Sequence, residues 1–204
     1  MPTKRDVFYK VLGAHGESMH GGTGTWTRGK RRVVRGPLVP CENGIHLCRR
    51  QDLVHWLGPQ IWVAQPFGTP IDAGDKVVVR GATLVRRLSR WNERTARLFA
   101  AEVAEGALLA QGWTAERQPE LFAAVRAARA FAEGQIDDVA RSAARSAAES
   151  AAWSVARSAA ESAAESAAES AAASAAESVA RSAARAAQTE LLFEYLTGKR
   201  GARA

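Results

Sequence analysis

The chain has 204 residues, 47% of them hydrophobic and 24% charged, with a formal net charge of +7. That length suffices for one or two domains with a buried core, and the absence of any run of about 20 apolar residues excludes a membrane-spanning helix. Only Cys41 and Cys48 are present, and the start, MPTKRDVFYK, has no apolar stretch, which fits a reducing intracellular setting without a signal peptide.

The charge is uneven. Met1 to Arg90 carries 15 Lys and Arg against 6 Asp and Glu, a net +9, and the remainder carries 13 against 15, a net −2. All four histidines lie in the first part, so composition places a boundary near Trp91.

In chain order, Asp6 to Leu12 reads as a strand, and Gly13 to Gly24 as a glycine-rich, flexible surface loop. Arg31 to Arg35 is a short basic strand, and Pro37 and Pro40 bracket a turn. Asn43-Gly44 turns the chain into a strand through Ile45, His46 and Leu47. Gln51 to Leu57 predicts one or two helical turns, and Gln60 to Gln65, Lys76 to Arg80 and Ala82 to Leu88 predict further strands. Residues 1–90 thus form a small, mainly antiparallel α+β domain, and an all-α part follows.

Residues 91–134 predict two amphipathic helices. The first is anchored by Trp91, Leu98, Phe99, Val103 and Leu109 and weakened at Gly106. The second starts at Gln118-Pro119-Glu120 and ends at Gly134. Asp137 then caps a long helix over residues 135–198, in which serine recurs every fourth residue from Ser142 to Ser182 among alanines, Arg and Glu. Alanine is the strongest helix former, and the run lacks Gly and Pro. Unbroken, it would be about 90 Å long, and a four-residue period drifts by about 40° per repeat. No face stays apolar, so a heptad coiled coil is disfavoured. Trp153, Val155 and Val179 are the larger apolar residues inside the run and its expected contact points. Basic ends around Glu161, Glu165 and Glu169 suit an antiparallel, staggered partner, including a second copy of the chain. The cluster Leu191 to Leu196 is expected to pack with the other helical anchors, and residues 199–204 to form a disordered basic tail.

Three constellations could carry chemistry. His15, His20, Cys41, His46, Cys48 and His55 include every His and Cys, but C-x4-H-x-C lacks a close zinc-ligand pair. No metal is therefore expected, with Cys41, His46 and Cys48 as the residues to watch. A basic set, Arg28, Lys30, Arg31, Arg32 and Arg35 beside Trp26, has the charge for phosphate contact without a nucleic-acid-binding motif. The glycine-rich loop matches neither phosphate-binding signature. A NAD-using transferase could be built on Tyr9, that loop and His20, but no acid is placed to serve as its catalytic partner. The chain therefore reads as non-enzymatic, with no cofactor.

The segments Tyr9-Lys10, Cys41-Glu42-Asn43-Gly44-Ile45-His46-Leu47-Cys48, Asp75 to Val78 and Leu84 to Leu88 resemble an uncharacterised domain of phage and bacterial genomes, marked by a C-x-x-G-[IF]-H-x-C box. WNERTARLFAAEVAEG, PELFAAVRAARAFAEGQI and the alanine-rich repeats resemble the helical immunity proteins of bacterial polymorphic toxin systems. That family usually interrupts its repeats with Gly-Asp breaks, and their absence here is a departure that leaves room for one long helix as well as for a folded-back hairpin. The resemblances imply an interaction protein of a phage or mobile element, in the bacterial cytoplasm or the phage particle. It would bind and neutralise or position a protein partner, or use the long helix as a spacer. Nucleic acid, held through the basic N-terminal domain, is the second candidate partner, and no membrane contact is expected.

Overall fold

The structure, a computed structural model, describes residues 7–20, 22–143, 146 and 170–201, with 170–179 described by their backbone alone. The chain is α+β and divides into two units: Met1–Asn92 together with Gln188–Ala202, and Glu93–Ala187.

In the first unit, apolar alternation and turn residues produce seven strands among the described residues. These are β1 (Phe8–Leu12), β2 (Arg31–Val33), β3 (Ile45–Leu47), β4 (Gln60–Phe67), β5 (Ile71–Asp72), β6 (Val77–Val79) and β7 (Gly81–Arg87). Every pairing is antiparallel, in the orders β1-β4-β7-β2 and β3-β6-β5. Two features join the sheets. Tyr9 and Cys48 exchange both backbone hydrogen bonds at 2.8 Å, which sets the end of β3 against β1. Arg80 links β6 directly to β7, and its carbonyl accepts the Val34 N–H at 2.9 Å beside the end of β2. One length of chain therefore serves both sheets, as strands do at the corners of orthogonal packings.

Between them lies a core that includes Phe8, Leu12, Trp26, Ile45, Leu47, Val77, Val79 and Leu84. Successive strand residues point to opposite faces, so Phe8, Lys10 and Leu12 share the core-facing side of β1. Tyr9 and Val11 are buried on the other side, where Tyr9 meets Phe193 edge to face at 5.5 Å. Arg50 lies over the same Phe193 ring at 3.7 Å and pairs with Glu190 at 2.9 Å.

The second unit contains α1 (Glu93–Ala110), α2 (Pro119–Ala132) and residues 138–143, which open a further helix, α3. Pro119 starts α2, Gly134 ends it at φ 73°, and Asp137 Oδ1 accepts the Ala140 N–H at 2.9 Å as the cap of α3. α4 (Ser170–Thr197) carries the chain back to the first unit.

Several expectations need correction. The glycine-rich loop is no free surface loop: Leu12 bridges Ser18, Glu17 bridges Thr25, and the Trp26 N–H reaches the Gly16 carbonyl at 2.8 Å. The helical turns expected at 51–57 reduce to a 3-10 turn at Leu53–His55. Trp91 is an anchor of the first unit rather than of α1, since its indole donates to the Gly58 carbonyl at 2.8 Å. The apolar cluster near Leu191 also packs in the first unit, through Phe193. Of the tail, residues 199–201 are described and fold back: Gly198 takes φ 80°, the Lys199 N–H donates to the Glu194 carbonyl at 2.9 Å, and Arg200 pairs with the Glu194 carboxylate. Within the repeat, Trp153, Val155, Glu161, Glu165 and Glu169 lie outside the described residues, as does the Val179 side chain.

Candidate functional site

A cleft of about 490 Å³ opens in the first unit where β1, β2 and β3 meet the loops around residues 18–23 and 41–44. Its size falls within the range of about 300–1,000 Å³ usual for small-molecule sites. The cations Lys10, Arg32 and Lys76 line it, with Trp26, Trp56, His20 and His46. Among the lining residues the acid is Glu42, whose side chain is exposed.

Trp26 is the floor of the arrangement. It is buried in the core, and its indole N–H donates to Ser18 Oγ at 2.9 Å; that hydroxyl in turn donates to the Thr23 carbonyl at 3.0 Å. Two cations meet this ring. Arg32 Cζ lies 4.9 Å from its centroid and Lys10 Nζ lies 5.5 Å from it. The Arg32 fork donates one hydrogen bond to the Thr23 carbonyl at 3.2 Å, while Nη1 is buried without a hydrogen-bond partner. Lys10 Nζ donates to the His46 carbonyl at 3.2 Å. Among the described residues no carboxylate pairs with Lys10 or Arg32, so two like charges share one ring without a counter-charge. Burial, with Arg32 as a further contributor, pushes the Lys10 ammonium down to about 8.

The box between Cys41 and Cys48 builds the opposite wall. Cys41 takes the left-handed conformation at φ 68°, and its N–H donates to His46 Nε2 at 3.2 Å. The imidazole therefore accepts at Nε2, as the neutral ring does, and burial beside Lys10 and Lys76 lowers its basicity further. Asn43 ties the loop down by donating to the carbonyls of Pro37 at 2.6 Å and Arg35 at 2.8 Å. At Gly44 there is no room for a side chain: a Cβ would sit 2.2 Å from Val78 Cγ1, in the core. Cys48 is buried, and desolvation pushes its thiol up to about 12. At the mouth, Lys76 Nζ lies 4.5 Å over the Trp56 ring, and the His20 ring meets Trp56 edge to face at 5.1 Å.

The residues singled out in the sequence are thus sorted. Cys41, His46 and Cys48 all border the cleft, with the His46 Nε2 engaged and the Cys48 thiol buried. Among the described residues no three His, Cys, Asp or Glu side chains converge on a point that could hold a metal ion. Of the basic set, Trp26 and Arg32 enter the cleft, while Arg31 turns to the other face of β2 and stacks on Phe67 at 4.7 Å. Arg28 donates to the Val85 carbonyl at 3.0 Å, and Lys30 and Arg35 are exposed. Tyr9 and His20 are not brought together, since Tyr9 packs on Phe193 and does not line the cleft. Trp56 is not singled out in the sequence, and Lys10 and Lys76 stand there only within the segments that carry a resemblance, not as site residues. Lys10 had a readable signal, because Phe8-x-Lys10-x-Leu12 puts a charge on the same parity as two core residues.

In the second unit, an apolar groove between α1 and α2 is lined by alanines, Val125 and Phe131, with Arg97 and Arg141 over the Phe131 ring at 4.3 and 4.6 Å. No helix among the described residues is long and apolar enough to cross a membrane. Comparison with known protein families, curated proteins and solved structures gives no match to this chain.

Proposed function

We propose that this chain is a non-enzymatic interaction protein whose first unit holds an anionic group of its partner in the cleft, with the alanine-rich helical part as spacer or pairing surface. The observation that carries this reading is the pairing of Lys10 and Arg32 over Trp26 without a carboxylate, with Arg32 Nη1 buried and unpaired. A largely buried ammonium beside a half-buried guanidinium, with no counter-charge, destabilises the unit, and an incoming anion relieves that cost with charge-assisted hydrogen bonds. The test is thermal unfolding of the full chain in phosphate, sulfate and chloride at matched ionic strength. Stabilisation by an oxyanion over chloride, lost in Arg32→Ala, is expected; equal melting in all three salts would contradict the reading.

A second reading, sequence-independent nucleic-acid binding, has its own observation: Arg31, Arg35, Arg86 and Arg87 are exposed on the first unit. Each phosphate contact releases counterions, so this reading expects duplex binding whose logarithm falls linearly with the logarithm of salt. Absence of retention on DNA at low salt would remove it.

A further inference from the structure

We propose that the cleft is a phosphomonoester site, built for the dianionic phosphate of a small molecule that also carries a flat or apolar body, a nucleoside monophosphate being the first case. This rests on the reading of the cleft as an anion site and adds charge and size to it.

Charge argues for a phosphomonoester over a carboxylate or a phosphodiester. Lys10 and Arg32 both face Trp26, and Lys76 stands at the mouth over Trp56. A single negative charge would leave one of the two inner cations uncompensated, whereas a phosphomonoester carries about −1.5 to −2 at neutral pH and three acceptor oxygens. The unpaired Arg32 Nη1 and the ammonium of Lys10 supply donors for those oxygens. Size argues for an organic body, since the cleft of about 490 Å³ extends past these cations along Val34, Ile45, Trp26 and Trp56. The same charge count argues against an internal phosphate of a nucleic acid, which is a monoanionic diester.

The groups facing Lys10 set the pH response. They are Arg32 on β2, His46 and Cys48 at β3, and, acting on His46, Asp75 and Lys76 before β6; Glu42 lines the cleft from its loop. Burial lowers the basicity of His46 and keeps the Cys48 thiol protonated, and it brings the Lys10 titration down to about 8. Affinity should therefore fall above about pH 8, as Lys10 loses its proton, and below about pH 6, as the phosphate dianion takes up a proton and becomes a monoanion.

The experiment is isothermal titration of the full chain with adenosine monophosphate, its cyclic phosphodiester, adenosine, inorganic phosphate and a phosphoserine peptide. Expected are binding of the monophosphate at least tenfold tighter than of the cyclic diester, adenosine or inorganic phosphate, and a bell-shaped pH dependence. Arg32→Ala should weaken it at least tenfold, and Lys10→Met should remove the decline above pH 8, with circular dichroism confirming that each variant is folded. Equal affinity for monophosphate and cyclic diester, or for monophosphate and adenosine, would overturn the proposal. Binding of inorganic phosphate or the phosphopeptide with none of the monophosphate would overturn it while leaving the anion-site reading intact. Failure of every phosphate to bind would remove both.

Discussion

Lys10 is the residue on which the electrostatics of the cleft turn. Its pKa in the folded chain, about 8, lies below the ordinary lysine value of 10.5. Between those values the unfolded chain binds more protons than the folded one, so stability rises with pH across that window. Below it the buried ammonium costs about 3 kcal/mol at most. Lys10→Met should therefore raise stability at pH 7 by about 1–3 kcal/mol and flatten the rise between pH 8 and 10.5, as read by denaturant unfolding at several pH values. A stability loss at pH 7 would contradict the uncompensated charge. Gly44 makes the complementary point about space. Its missing Cβ would lie 2.2 Å from Val78 Cγ1 in the core, and Gly44→Ala should cost about 1–3 kcal/mol in the same assay. At this scale the sequence was legible where chemistry is local. The Asn43-Gly44 turn and the His46 position are readable, but the carbonyls that Asn43 ties down and the Cys41 N–H that His46 accepts depend on how the loop folds back.

At the scale of elements, the strands follow the sequence closely because apolar alternation and turn residues specify them, and β1, β2, β3, β4, β6 and β7 all fall within the stretches expected from it, give or take two residues. The sixty-seventh to eighty-first residues show what is not local. β5 is only Ile71–Asp72, both exposed, and gains its strand character from pairing with Val78 and Val77. Asp72 is held there by Arg49, which donates to it at 2.6 Å, to the buried Asp52 at 2.6 Å, and to the Gly74 carbonyl. The Arg49 guanidinium holds the Asp72 carboxyl below its usual range. One side chain thus fastens the 3-10 turn at Leu53–His55 to the β5–β6 hairpin. Arg49→Met leaves the buried Asp52 without its cation and should cost about 1–3 kcal/mol in urea unfolding; a change under about 0.5 kcal/mol would mean that the three contacts add nothing beyond exposed ion pairs.

At the scale of the whole molecule, composition places a boundary near Trp91, and α1 starts at Glu93. Composition does not show that the chain returns. Leu192, Phe193, Tyr195 and Leu196 are buried, and Phe193 lies between Tyr9 and Arg50, residues more than 140 positions earlier. An apolar cluster at a helix end shows that it packs but not on what, so the sequence could not choose between the other helices and the strand domain. Phe193→Ala should therefore destabilise the first unit by about 3–5 kcal/mol, read as loss of amide protection in β1 and β4 by hydrogen exchange. Unchanged protection there would place the last turns of α4 outside the unit.

Binding of an anion between Lys10 and Arg32 is tested most directly by the Lys10 titration itself, followed by NMR of the side-chain ammonium in chloride and in phosphate at equal ionic strength. The midpoint should lie near 8 in chloride and rise by at least about one pH unit in phosphate, because a bound anion favours the charged amine. An identical midpoint in the two salts would contradict anion binding at this pair.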